Sequence, residues 1–134
     1  MNFNFTGSKP PKTDVVVVPV FKGGALGNSA SKFDAELGGA IAQRIKTKSF
    51  DGKAGQSTGL SLDADVFGVK DVILFGFGEK DDLDIEKARK LALNLDRVIT
   101  ATGEKDIHLM GRDLQDGGEN EFIVAEIMDA MLAN

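Results

Sequence analysis

The sequence predicts a layered α/β domain in which a mixed sheet lies between helices. Two runs rich in β-branched and aromatic residues, 14–21 and 72–77, are apolar throughout apart from Asp14 at the start of the first, as expected for strands that are covered on both faces. A segment with helical spacing of its apolar residues follows each run. Two connections between strands are too short for a parallel crossover, so a purely parallel sheet is disfavoured. The element order that results is ββα, ββα, βα.

The first two predicted elements are strands. Residues 2–5, NFNF, alternate between polar and apolar and predict a half-buried strand that ends before a turn at Pro10–Pro11. The run DVVVVPVF at 14–21 predicts a strand buried on both faces. Pro19 lacks a backbone N–H, so it must lie near the end of this strand or at a bulge.

One continuous helix is predicted after the loop KGGALGNSAS. Ser31 and Asp34 resemble a capping box at the start of this helix, which runs to about Lys46. Its apolar residues recur at every fourth position and form one stripe; they are Phe33, Leu37, Ile41 and Ile45. The Gly38–Gly39 pair lies inside the helix, and close packing of helix on sheet is the expected compensation, with approach of a ligand as the alternative.

The second half of the chain repeats the strand and helix pattern. Residues 57–62 alternate and predict a strand, and residues 63–70 form a short connection compatible with an antiparallel return to the apolar run at 72–77. Asp84 is a candidate N-cap for a helix that Gly103 ends as a left-handed C-cap. The apolar residues of this helix keep 3.6-residue spacing; they are Ile85, Ala88, Ala92, Leu95 and Ile99. A short strand at 106–110 and a final helix from Gly118 complete the chain.

Composition limits the class of protein. The 134 residues suit one domain, and 42% hydrophobic with 28% charged residues is typical of a soluble globular protein. The absence of cysteine excludes thiolate chemistry and disulfides and favours a reducing, cytoplasmic setting. We expect no membrane segment and no signal peptide. The net charge of -5 makes nucleic acid an unlikely partner for this domain alone.

The stretch DVILFGFGEKDD at 71–82 presents the order strand, Gly76-x-Gly78, helix, which dinucleotide-binding folds use to hold a pyrophosphate. The third glycine of that fingerprint is replaced by Asp81. Asp81, Asp82 and Asp84 would place negative charge at the helix N-terminus and repel a phosphate. We therefore interpret the two glycines as a tight turn at the end of a strand, with nucleotide binding as the alternative.

Other catalytic signals are weak. His108 is the single histidine and lies between Ile107 and Leu109 on a short strand, where a partly exposed structural residue is expected rather than a base or metal ligand. The sequence contains no HExxH motif, no nucleophile elbow and no Walker lysine. We therefore assign no catalytic, cofactor-binding or metal-binding residue to this chain.

Three segments in order resemble the N-terminal domain of the leucyl aminopeptidase family, the M17 cytosol aminopeptidases. They are DVVVVPVF, FDAELGGAIAQRIKTKSFDGKAGQS and DVILFGFGEKDDLDIEKARKLA. Their most characteristic parts are the LGGAI helix, the Phe-x-Gly-Lys-x-Gly turn at 50–55, and the strand that ends in Gly-x-Gly-x-Lys. The resemblance extends over nearly the whole chain and implies a three-layer, macro-domain-like α/β/α fold with about five strands.

The resemblance also implies a functional context. The chain, residues 1–134, would be a single domain that precedes a larger catalytic domain, which lies beyond Asn134. That domain would hold two divalent metals, zinc or manganese, together with the signature Asn-Thr-Asp-Ala-Glu-Gly-Arg, and would remove N-terminal amino acids from peptides in protein turnover. The implied partners are this catalytic domain and the other subunits of a cytoplasmic homo-hexamer. This chain by itself is expected to be inactive, with a structural, assembly or regulatory role.

Two further hypotheses remain. The glycines in GGALG, LGGA and GFG would lie at strand exits, where open α/β sheets bind ligands, so a self-standing macro-like module for ADP-ribose or a related nucleotide is the main alternative. Some members of the aminopeptidase family also bind DNA, but the acidic charge of this chain argues against that role for this domain alone.

Overall fold

The computed structural model describes residues 2–5, 15–66, 69–79, 85–103 and 106–109. Three helices and six strands occur within these ranges. In chain order they are β1 (Asn2–Phe5), β2 (Val15–Phe21), β3 (Ala25–Leu26), α1 (Asn28–Glu36), α2 (Ala40–Thr47), β4 (Ser57–Val66), β5 (Val69–Gly78), α3 (Ile85–Thr102) and β6 (Asp106–Leu109). The predicted turn at Pro10–Pro11, the proposed cap at Asp84 and the final helix from Gly118 lie outside the described residues.

The strands form one mixed sheet in the order β1-β6-β2-β5-β4, and β3 pairs with the end of β2. β1 with β6, β6 with β2, and β2 with β5 are parallel. β4 runs antiparallel to β5 and β3 runs antiparallel to β2. The predicted α/β class with a mixed sheet is therefore confirmed, and β2 and β5 are its central strands.

Two hydrophobic cores lie on opposite faces of the sheet because alternate residues of β2 point in opposite directions. Val15 and Val17 belong to the core that α3 covers, together with Phe75, Leu95 and Ile99. Val16, Val18 and Val20 belong to the core that α1 and α2 cover, and its helix residues are Ala30, Phe33 and Ile41. All seven residues of β2 are buried, which is the physical reason for the uninterrupted β-branched run in the sequence.

Pro19 fits within the central strand β2 because it lies where the described pairing of one neighbouring strand has ended and that of the next has not begun. Along one edge of β2 the described pairing with β6 stops at Val17, and the pairing with β3 begins at Val20. Pro19 lies in the interval between them and pairs in register with Phe75 of β5 on the other edge. The missing N–H is thus accommodated near the exit of the strand, as a proline in a sheet requires.

The single helix predicted between Ser31 and Lys46 is wrong. The chain forms two helices, because Gly38 and Gly39 adopt φ values of +70° and +82°, in the left-handed region that interrupts an α-helix. A Cβ at either glycine would meet nothing within 4 Å, so backbone conformation explains the pair and close packing on the sheet does not. The predicted apolar stripe survives across the break, because all four of its residues contribute to one core.

The capping box predicted at Ser31 and Asp34 is also wrong, because α1 already begins at Asn28 with Gly27 as its N-cap. Asp34 has a different partner. Its carboxylate accepts hydrogen bonds from the N–H groups of Ile41 (2.7 Å) and Ala42 (3.2 Å) in the first turn of α2. Gly39, the N-cap of α2, has no side chain to perform this role, so a buried carboxylate from α1 satisfies the free amides of α2.

The hairpin and the second helical layer agree more closely with the sequence. β4 continues to Val66 and β5 starts at Val69, so the predicted connection at 63–70 is mostly strand, and the antiparallel return is confirmed. In α3 the residues Ala88, Ala92, Leu95 and Ile99 are buried, as their spacing predicted. Gly103 has φ +73° and donates to the carbonyl of Thr100, which confirms the predicted left-handed end of the helix.

Replacing Asp34 tests the link between α1 and α2. We expect Asp34→Ala to lower the free energy of unfolding by about 1–2 kcal/mol, because two amides of α2 lose their acceptor in a buried setting. Asp34→Asn, which keeps one acceptor oxygen, should lose less. Urea denaturation followed by circular dichroism measures both changes. Lys32→Ala, an exposed substitution on the same helix, is the control and should change stability by less than about 0.5 kcal/mol.

Candidate functional site

The carboxyl ends of β2 and β5 form the place where this fold would bind a ligand. β2 leads into α1 and α2 on one face of the sheet, whereas β5 leads towards α3 on the opposite face. Two neighbouring parallel strands whose connections leave in opposite directions create a crevice, and open α/β sheets bind ligands in that crevice. The geometry of this edge therefore decides what the described part of the chain can bind.

The segment that joins α2 to β4, residues 50–56, crosses this edge, and we call it the strap. It contains the Phe-x-Gly-Lys-x-Gly motif. On the β2 side the carbonyl of Asp51 accepts from the N–H groups of Gly23 (2.8 Å) and Gly24 (3.2 Å). On the β5 side Gly55 donates to the carbonyl of Gly76 at 3.0 Å. The strap is thus joined through its backbone to the exits of both central strands.

Gly52 and Gly76 permit this close approach. A Cβ on Gly76 would lie 2.1 Å from the carbonyl oxygen of Lys53, and a Cβ on Gly52 would lie 2.2 Å from the carbonyl oxygen of Phe21. Both contacts are with backbone, which cannot turn aside as a flexible side chain can. The chain itself therefore fills the crevice between the exits of β2 and β5, and only residues without a side chain fit at these two positions.

The Gly76-x-Gly78 pair lies directly beneath the strap. The N–H of Gly76 donates to the carbonyl of Gln56 at 2.7 Å, and the N–H of Gly78 donates to the carbonyl of Gly52 at 2.9 Å. A bound phosphate would require such N–H groups as donors, and here they are hydrogen-bonded within the chain. This arrangement agrees with the interpretation of the two glycines as the end of a strand. The three aspartates at 81, 82 and 84 lie outside the described residues.

A cavity remains beside the strap, between the end of β5 and the first turns of α3. Its volume is about 340 Å³. The residues that line it are Ala54, Phe77, Gly78, Glu79, Lys87, Lys90, Leu91 and Asn94. None of these residues was predicted from the sequence to belong to a site. Lys87, Lys90 and Asn94 are spaced so that they lie along one side of a helix. This spacing is the feature of the sequence that could have indicated a polar wall at this position.

His108 lies on β6, which is separated from β5 by β2. Its solvent exposure differs from the prediction. It was expected to be partly exposed, but only 1% of its surface is accessible to solvent. It pairs in register with Val16, so it points to the face of the sheet that α1 and α2 cover. Burial lowers the pKa of His108 from 6.5 to about 4, because an apolar interior disfavours the charged imidazolium.

Within the described residues there is no group of three or more histidine, cysteine, aspartate or glutamate side chains that could hold a metal ion. In the same ranges, no helix has the length and apolar character needed to cross a membrane.

Comparison with known proteins gives a consistent picture. Residues 17–134 match the family described as "Cytosol aminopeptidase family, N-terminal domain". A probable cytosol aminopeptidase of Stutzerimonas stutzeri is 27% identical over 123 residues, which is 92% of this chain and 25% of the relative. A probable cytosol aminopeptidase of Buchnera aphidicola is 32% identical over 96 residues, which is 72% of this chain and 19% of the relative. The chain thus spans a quarter or less of the length of these relatives.

Solved structures share the fold at lower identity. A tomato leucine aminopeptidase mutant superposes with a TM-score of 0.73 at 16% identity, over 98% of this chain and 27% of the plant enzyme. The macrodomain of Mycobacterium tuberculosis DarG gives 0.69 at 13% identity and that of Thermus aquaticus DarG gives 0.72 at 14%. These two cover 98% of this chain and 88% and 91% of the macrodomains, respectively. The predicted macro-domain-like architecture is therefore confirmed.

A pair of glycine substitutions tests the packing of the strap. We expect Gly76→Ala to destabilise the protein by about 3 kcal/mol or more, because the added methyl group must displace the backbone at Lys53. Gly59→Ala on the adjacent strand is the matched control. A Cβ there meets nothing within 4 Å, so that variant should remain within about 1 kcal/mol of the parent. Chemical denaturation measures both, and equal stability of the two variants would contradict the packing described here.

Burial of His108 predicts a dependence of stability on pH. Its pKa is about 6.5 when the chain is unfolded and about 4 when it is folded, so the unfolded state binds the proton more readily. The contribution of neutral His108 is complete above pH 6.5 and is lost as the pH falls towards 4, at up to about 1.4 kcal/mol per pH unit. We expect urea denaturation of His108→Gln between pH 7 and 5 to show a smaller loss of stability than the parent chain. An unchanged slope would contradict this.

Proposed function

Because the chain belongs to the cytosol aminopeptidase family as its N-terminal domain, we propose that it is a non-catalytic domain that acts in assembly or regulation of a larger enzyme. We further propose that residues 1–134 form one domain and that peptide hydrolysis is performed by a catalytic domain outside this chain. This agrees with the lengths of the relatives, of which the matched region is a quarter or less.

The observation that carries the proposal is the strap. In an α/β sheet the exits of the central strands are the usual place for catalytic and ligand-binding groups. Here that place is filled by backbone of residues 50–56, and the glycine N–H groups beneath it donate to carbonyls of the same chain. An edge closed in this way favours a scaffold over a catalytic site.

The properties of the whole protein follow from the family and are part of the proposal. We propose that the parent protein is a cytoplasmic leucyl aminopeptidase with two divalent metal ions, zinc or manganese, and that it assembles as a homo-hexamer. Its metal ions would be bound by the catalytic domain, since the described residues here offer no cluster of ligands. The names of the relatives, probable cytosol aminopeptidases, support this assignment.

The competing hypothesis is a self-standing module that binds ADP-ribose or a related nucleotide. It draws support from the two macrodomains, which this chain matches over nearly their whole length. At sequence identities of 13% and 14%, the similarity shows a shared fold and does not show a shared ligand. The position of the strap argues against this hypothesis, because the N–H groups of Gly76 and Gly78, which a Gly-x-Gly turn can offer to a diphosphate, donate to Gln56 and Gly52.

An activity assay tests the proposal. We expect the 134-residue chain to show no hydrolysis of leucine p-nitroanilide above the rate without protein, in the presence of either manganese or zinc, because the described residues contain no group of three or more histidine, cysteine, aspartate or glutamate side chains that could hold a metal ion. Hydrolysis that is abolished by a chelator and restored by manganese would show that the chain is catalytic. The control is a full-length relative such as the probable cytosol aminopeptidase of Stutzerimonas stutzeri, which we expect to hydrolyse the same substrate.

Calorimetry separates the two hypotheses. Titration of the chain with ADP-ribose at millimolar concentration should give no heat beyond dilution if the edge of the sheet is closed. Saturable heat with one ligand per chain would favour the nucleotide-binding module.

A further inference from the structure

The cavity beside the strap is lined by charged, polar and apolar side chains, and a scaffold role does not require such a cavity. At about 340 Å³ it lies at the small end of the range for ligand sites in proteins. Its apolar lining includes Phe77 and Leu91. These side chains are only 2% and 5% exposed, so a ligand can contact them from one side only. A site of this size suits a small molecule with one apolar group.

Charges of opposite sign lie on the two walls. Lys87, Lys90 and Asn94 line the cavity from α3, and helical spacing places them along one side of that helix. Glu79 lines it from the end of β5. One wall therefore supplies ammonium and amide donors, and the other supplies a carboxylate acceptor.

Glu79 forms an ion pair at the rim of the cavity. Its Oε1 lies 3.3 Å from Nζ of Lys22, the first residue after β2, and the two side chains are 51% and 64% exposed, respectively. An exposed pair of this kind is weak and exchanges readily. The carboxylate can therefore exchange Lys22 for a ligand ammonium at the mouth of the cavity.

We propose that this cavity binds a free amino acid or dipeptide with an apolar side chain. The ligand carboxylate would contact the lysines and Asn94, its ammonium would contact Glu79, and its side chain would rest on Phe77 and Leu91. A zwitterion matches both walls at once, whereas a phosphate ester would offer no cationic group to Glu79 and would find the adjoining crevice filled by the strap. The ligand class rests on the cavity, and a regulatory role for it as a product of peptide hydrolysis rests on the proposed function.

Nuclear magnetic resonance of the 134-residue chain tests this proposal with L-leucine as the probe. We expect saturable shifts of the backbone amide signals of Gly78, Glu79, Leu91 and Asn94 at millimolar L-leucine. N-acetyl-L-leucinamide, which has the same side chain and no charge, should bind at least about tenfold more weakly, since it loses both charge-assisted contacts. Absence of saturable shifts with L-leucine, or equal binding of the uncharged analogue, would overturn the proposal.

Variants assign the binding to this cavity. Lys90→Glu should weaken L-leucine binding at least about tenfold, because the donor wall loses a cation and gains a repelling carboxylate. Lys46→Glu, at an exposed position on α2, changes the net charge by the same amount and should bind as the parent does. Asn94→Ala provides a second change on the donor wall that leaves the net charge unchanged. Parent-like affinity in both Lys90→Glu and Asn94→Ala would overturn the assignment, and the assay does not depend on catalysis by any other domain.

Discussion

Backbone hydrogen bonds between the strap and the exits of β2 and β5 are the constraint on which the rest of this structure depends. They join the segment between α2 and β4 to two parallel strands that send their connections to opposite faces of the sheet. Amides and carbonyls that would otherwise face solvent or a ligand at this edge are paired with one another, as buried backbone groups require. Glycine at 52 and 76 is the condition for that pairing, because any side chain there would enter the opposing backbone.

This arrangement has consequences for both function and the distribution of charge. The same edge supplies phosphate-binding amides in nucleotide-binding α/β folds, and here those amides stabilise the chain itself. Beside the strap, polar side chains of α3 and Glu79 line a cavity. The described residues thus leave a small cavity next to the strap, and its chemistry is the basis for proposing a compact zwitterion as its ligand.

The sequence predicted the elements with strong periodicity and missed those that depend on contacts distant in sequence. The buried strands β2 and β5 and the helix α3 were predictable because burial on both faces, or on one helical face, leaves a direct mark on composition. The break between α1 and α2 was missed because an unbroken four-residue spacing of apolar residues masked the left-handed glycines at 38 and 39. Asp34 was predicted to cap the start of the helix in which it lies, whereas it caps α2. Its partners, Ile41 and Ala42, lie across the break that the sequence did not reveal.

The candidate site was less predictable than the fold, for a physical reason. Gly76 and Gly78 were interpreted correctly as part of a strand end, but the segment that covers them was visible only as a turn motif 20 or more residues earlier. Burial of His108 also depends on which face of β6 is covered, and a four-residue strand is too short for its pattern to show this. Family resemblance supplied the architecture that local patterns could not.

Native-state hydrogen exchange of the glycine amides beneath the strap tests the central claim most directly. The backbone N–H groups of Gly55, Gly76 and Gly78 should exchange as slowly as those of Val16 and Val18 in the central strand, through global unfolding. Exchange of these three amides at the rate of an exposed turn, while β2 stays protected, would show that the strap opens in solution and that the edge of the sheet is accessible to ligands.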